Sequence, residues 1–218
     1  MMKNDPVQIT REKARAGIET VKTAEKIMLS EAENELFAHF ADVLEYPGDT
    51  HSDLISKCGS LAKEAFAGSS PLLHEFADAF HELTLDESRE YYSRTFDLNP
   101  VCGLDIGHHL FGEDYKRGAF LANLRETQLP YELKQEFQLP DYLPVLLRLM
   151  TKLDNDELRA SLIGCCLLPA LKTMKEALKK KENVYGDAIG FLESALLSIA
   201  EQSLHDQPGV ENERYQYA

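Results

Sequence analysis

Apolar residues return at helical spacing along nearly the whole chain, and polar breakers separate the runs. From Ser30 onward Leu36, Phe37, Phe40, Val43 and Leu44 fall on one face, with Ser30 and Glu33 placed as a capping box, until Tyr46-Pro47-Gly48 stops the helix. A second helix starts near Asp49 or Thr50 and turns Leu54, Ile55, Cys58, Leu61, Ala62, Ala65 and Phe66 inward before Gly68-Ser69-Ser70. Pro71 suits the first turn of a third, whose inner face is Leu72, Leu73, Phe76, Ala79, Phe80 and Leu83. A fourth is expected over 86–96, and shorter ones over 104–111 and 114–126 with Gly112 between them. Asp141 can cap a helix carrying Leu143, Leu146, Leu147 and Met150, with Pro144 in its first turn. Long helices are expected over 156–181, bent at Pro169, and 186–203.

No stretch alternates with the period of two that strands require, and no solenoid repeat or low-complexity linker divides the chain. The expected fold is all-α, a single-domain helical bundle spanning 26–204. A mobile segment is expected at 1–25 and a flexible tail at 205–218.

Composition sharpens this. The 218 residues carry 23 Lys+Arg against 37 Asp+Glu, a net charge of −14, which repels nucleic-acid phosphates and attracts basic peptides. The longest uncharged run, 160–171, falls short of the roughly 20 residues needed to cross a bilayer. Four cysteines without a CxxC pair, and no export signal in MMKNDPVQITREKARAG, point to a reducing, cytoplasmic setting.

Chemistry-bearing motifs are sparse. There is no phosphate loop, nucleophile elbow or HExxH. His108 and His109, with Cys102 and Asp105 nearby, are the most suggestive metal ligands, but adjacent helical side chains diverge by about 100° and do not readily share one ion. His74 and His81 are two turns apart, and Cys165-Cys166 sits in an apolar run as small hydrophobes. The basic run from Lys172 to Lys181 reads as a solvated helix end. Between Thr84 and Asp114, seven acids face only Arg89 and Arg94, interleaved with Tyr91, Tyr92, Phe96 and Phe111. This stretch is either a receptor for an apolar segment flanked by arginines or an acidic helix whose rings fill the core.

Tyr92-Ser-Arg-Thr-Phe96-Asp97, then His109-Leu-Phe-Gly112-Glu113 and Arg117-Gly118, resembles the central signature of the nitrate reductase delta-subunit (NarJ-like) chaperones. Leu139-Pro-Asp-Tyr-Leu-Pro144, Leu168-Pro-Ala-Leu171, Asn183-Val-Tyr185 and the early Leu44-Glu-Tyr-Pro47 are similar to further family elements, in order, over residues 35–200. The wider group includes the TorD and DmsD chaperones of molybdenum enzymes.

The resemblance implies a TorD-like helical fold and a cytoplasmic chaperone, not an enzyme, with no cofactor of its own. Its implied partner is the catalytic subunit of a molybdenum-containing oxidoreductase, gripped by a basic, twin-arginine-type amino-terminal segment until molybdenum cofactor is inserted. Premature export or membrane docking is thereby prevented. It implies no nucleic-acid partner and no stable membrane insertion, and it leaves a swapped homodimer open.

Carried over by position, Tyr92, Phe96 and Asp97 fall on the peptide-contacting helix, and Pro140, Asp141 and Tyr142 on the second signature. Tyr92, Phe96 and Tyr142 would supply apolar walls, while Asp97 and Asp141 would pair with arginine or peptide N–H groups; Asp141 as a pure helix cap is the competing role. Gly112 is expected to turn the chain so as to set His109, Arg117 and Gly118, with Glu113 an alternative ion-pair partner for Arg117. Two departures are notable: Gly103 stands where many relatives have serine, and Arg148 where many have glutamate, reversing charge beside the groove. Two other readings remain: a small helical metal-binding regulator or enzyme using His108, His109 and Cys102, and a permanent structural subunit of a redox complex.

Overall fold

The structure is a computed structural model and describes residues 25–205 apart from 99–101, 134 and 136. The expected mobile ends therefore lie outside the described residues, save Glu25 and His205. All regular structure among the described residues is helical.

Helix α1 (Glu31–Val43) begins at the anticipated capping box, in which the Glu33 carboxylate accepts the Ser30 N–H at 2.7 Å and Ser30 Oγ accepts the Glu33 N–H at 3.3 Å. Next come helices α2 (His51–Ala65) and α3 (Ser70–His81), with Pro71 in the first turn of α3. A second capping box, Thr84 with Glu87, opens α4 (Leu85–Tyr92). The chain continues through α5 (Ile106–Phe111), α6 (Lys116–Gln128), α7 (Leu143–Lys152), α8 (Asp156–Leu162), α9 (Leu168–Lys179) and α10 (Tyr185–His205).

Helix α1 lies against α2 and α7, while α3 bridges α2 and α10 and α9 runs along α10. Nearly every turn of α10 is covered, with Tyr185, Ile189, Phe191, Leu192 and Leu196 wholly buried. Phe191 meets Phe40 at 5.7 Å and Phe66 at 6.3 Å between centroids, so rings from α10, α1 and the residue that ends α2 share one core. None of the described helices is long and apolar enough to cross a membrane.

Two expected helices are broken differently. Over 156–181, α8 and α9 are separated by a π-helical turn, Ile163–Leu167. Pro169 lacks an N–H and its ring crowds the carbonyl four residues back, and a widened turn relieves both. The fourth helix likewise ends α-helical at Tyr92 and widens to a π turn over Ser93–Asp97, leaving Thr95 and Phe96 buried and Asp97 exposed.

Asp141 does not cap α7. Tyr142 precedes that helix without a side-chain cap, and Asp141 is turned into the protein. The backbone here forms an isolated antiparallel bridge between Asp105 and Tyr142: Ile106 N–H donates to the Asp141 carbonyl at 2.9 Å and Leu143 N–H to the Leu104 carbonyl at 2.8 Å. The starts of α5 and α7 are thus clamped together.

Candidate functional site

The two signature segments meet in space. From the end of α4, the Tyr92 hydroxyl donates to the Leu44 carbonyl at 3.1 Å and lies 3.0 Å from the Tyr142 hydroxyl, which reaches Glu45 at 3.3 Å. Burial pushes both phenols well above the ordinary tyrosine range, so both stay protonated. Phe96 stacks edge-on to Tyr92 at 5.0 Å and to Tyr185 at 4.6 Å.

Tyr92 is 4% and Phe96 7% exposed, so these rings face the core, while Asp97 is exposed and Tyr142 and Pro140 are partly exposed. Tyr46, which no motif singled out by itself, is 55% exposed and covers Tyr92 edge-on at 5.6 Å. Its signal was its place in Leu44-Glu-Tyr-Pro47.

Asp141 is wholly buried. Its Oδ2 accepts the Gly107 N–H at 3.0 Å and both Nε and Nη2 of Arg117, at 3.2 and 3.0 Å, while Oδ1 has no partner. Burial pushes this carboxyl above the usual aspartate range, against the pull of the Arg117 guanidinium. Arg117 also lies 3.6 Å from Asp105, and Glu113 pairs instead with His108 at 3.7 Å. The expected alternative of an Arg117–Glu113 pair is thereby corrected: the carboxylate that reaches the guanidinium comes from the chain before α7, not from the adjacent turn.

His109 Nε2 lies 2.7 Å from the Gly103 carbonyl, which fixes the proton on that nitrogen, and burial lowers its pKa below the ordinary histidine value. Gly112 ends α5 at φ +57°, a region that favours glycine, and so makes the turn expected of it. Gly118 is exposed, with open space where a Cβ would stand.

The charge of Arg148 is not presented to a groove. Its guanidinium is buried and holds Asp42 at 2.8 Å and Glu45 at 2.9 Å. A charge that seemed reversed from sequence is neutralised by two acids of α1 and its following turn, about a hundred residues away and invisible to local reading. Glu45 thereby joins Arg148 to the paired tyrosines.

Pro140 borders a cavity of about 490 Å³ with Arg125, Gln128, Leu129, Tyr131 and Phe137. Gln128, buried at the end of α6, donates from Nε2 to the Pro140 carbonyl at 2.8 Å. Leu129 is 76% and Phe137 96% exposed, an apolar rim that the expected site did not include.

For the metal reading, His109 is committed to the Gly103 carbonyl and Cys102 is buried, its thiol pushed up by burial. Among the described residues no three His, Cys, Asp or Glu side chains are grouped so as to hold an ion.

No family model matches the chain. It is 25% identical over 163 residues to the probable nitrate reductase molybdenum cofactor assembly chaperone NarW of Escherichia coli K12, covering 74% of this chain and 66% of the relative. It is 28% identical over 114 residues to the probable nitrate reductase molybdenum cofactor assembly chaperone NarJ of Bacillus subtilis 168, covering 50% of this chain and 59% of that one. The chain thus spans somewhat less than two thirds of the length of these relatives. These two matches, together with the ordered motifs, show that the chain is similar to NarJ-like nitrate reductase molybdenum cofactor assembly chaperones.

Proposed function

We propose that the protein is a non-catalytic assembly chaperone in the cytoplasm. It binds the amino-terminal, twin-arginine-type segment of a molybdoenzyme catalytic subunit and holds that subunit while molybdenum cofactor is inserted. The observation that carries this reading is the convergence of two distant signatures through the Tyr92–Tyr142 hydroxyl pair, with Asp97 exposed at the surface one residue past the buried Phe96. A basic peptide gains charge complementarity from that surface, and the apolar rim at Leu129 and Phe137 beyond Pro140 offers burial to its apolar residues. Asp141 supports the surface from inside, through Arg117 and Gly107, and the buried Tyr92 and Phe96 set its contour. The test is isothermal titration of the full chain with a peptide from the start of a candidate catalytic subunit. Saturable binding weakened by Asp97→Lys is expected; binding unchanged in that exposed variant would reject the charge contact, and no binding to any such peptide would reject the function.

A further inference from the structure

The cavity bordered by Pro140, about 490 Å³, is the size of an ordinary ligand pocket and has room for several side chains. Its walls are the end of α6 and the segment that leads on to α7. That segment is braced along its length. Tyr131 N–H donates to the Gln128 carbonyl at 2.9 Å, Gln135 Nε2 to the Gln138 carbonyl at 2.8 Å and Gln128 Nε2 to the Pro140 carbonyl at 2.8 Å, while Lys152 Nζ reaches the Glu132 carbonyl.

The chemistry of this space is one-sided. Leu129, Phe137 and Leu139 are 76%, 96% and 45% exposed, a concentration of apolar surface at its mouth. Among the described residues that line it there is no carboxylate, and the single charge is the exposed guanidinium of Arg125, which pairs with no described acid. On a chain of net charge −14 this runs against the average surface. A lysine or arginine entering the cavity would lose hydration to apolar walls, find no counter-charge and face a like charge. An uncharged apolar side chain meets none of these penalties. The cavity is continuous with the two signatures, since Pro140 borders it and Tyr142, two residues on, reaches Tyr92 at the head of the turn that presents Asp97.

We propose that Arg125 is a specificity-determining residue for the client segment: it keeps cations out of the cavity, so that the segment's arginines stay outside and only its uncharged apolar stretch enters. The inference rests on the proposed chaperone function and adds to it a rule for the order in which the segment is read, attraction at Asp97 and repulsion at Arg125.

The test is isothermal titration of the full chain with three forms of a peptide from the start of a candidate catalytic subunit: native, and with one residue of its apolar stretch replaced by Lys or by Glu. The overall charge of −14 by itself favours the Lys form, so a preference for the Glu form reports a local cation. The expected result is that the Lys form binds roughly two- to fivefold more weakly than the Glu form, and that Arg125→Glu, an exposed change checked by an unaltered thermal midpoint, reverses the order. A Lys form that binds as well as the Glu form, or an order unmoved by Arg125→Glu, overturns the inference while binding of the native peptide leaves the chaperone reading standing. A dimer that Phe137→Ser dissociates with no change in peptide affinity overturns it too, since the face then belongs to a second copy. No binding of any form removes the chaperone reading and the inference together.

Discussion

The hydroxyls of Tyr92 and Tyr142, fifty residues apart in the chain, lie 3.0 Å from each other. Three contacts, to Leu44, between the two phenols and to Glu45, share two hydroxyl protons. Tyr92 gives its proton to the Leu44 carbonyl, and Tyr142 divides its own between Tyr92 and Glu45.

Removing one member therefore costs unequal amounts. Tyr142→Phe leaves Glu45 held by Arg148 and should lower stability by about 1 kcal/mol. Tyr92→Phe also strips the Leu44 carbonyl of its donor and should cost about 2 kcal/mol. The double variant should cost less than the two together, because they share one bond. Urea unfolding of the three proteins measures this, and strict additivity would show that the hydroxyls are uncoupled.

Gly107 is closed to any side chain. A Cβ there would lie 2.5 Å from Asp141 Oδ2 and 3.2 Å from Phe120. Gly107→Ala should destabilise by about 1–3 kcal/mol by prising the carboxylate from Arg117. Gly118→Ala, on an exposed helical position with open space, should gain about 0.5–1 kcal/mol. Opposite shifts in thermal midpoint are the expected result; equal shifts would mean that the contact at Gly107 carries no strain.

Arg148→Met should cost about 3 kcal/mol, since it leaves Asp42 and Glu45 close together without their shared cation. The same substitution should leave the affinity for a basic peptide within a factor of about two, because the guanidinium is spent internally. A large change in affinity with unaltered stability would place Arg148 at the binding surface instead.

Stability should fall on mild acidification. His51 and His109 both have folded pKa values lowered by burial, below the ordinary 6.5. The unfolded chain then binds more protons than the folded one between those lowered values and 6.5, so the contribution is complete above 6.5 and is lost as pH falls toward the folded values. Asp141, raised by burial from 3.8, acts in the opposite sense, its stability contribution being lost as pH rises through its folded value. Urea midpoints between pH 7.5 and 5 in wild type and His51→Phe check this; a variant as pH-sensitive as wild type would remove His51 from the account.

How much could be read from the chain depends on how local each determinant is. Ser30 with Glu33, Pro71 and Gly112 act within a few residues, and helices start or stop where they stand. The fold class was equally local, being a matter of apolar spacing. Asp141 has the sequence position of a helix cap, yet its carboxylate serves Gly107 and Arg117 on other elements, which no spacing within 139–144 reveals. Arg148 and its two acids are separated by about a hundred residues, so the sign of the charge was legible and its fate was not. Tyr92 and Phe96 were picked by their motif, but whether a ring in an acidic helix faces inward depends on Tyr185, supplied by the far end of the chain.

The wide turn at Ser93–Asp97 sets the rotational phase of its own side chains against the helix before it. A π turn is an α-helix that has accommodated one additional residue, and each residue in a helix advances the side chains by about 100°. Wound as an ordinary α-helix, the same five residues would each advance further around the axis, and Phe96 and Asp97 would be turned away from the directions they now hold, the ring against Tyr185 and the acid exposed. The swollen turn thus works as a frame-setter, matching the inward-facing side chain to the ring cluster behind it.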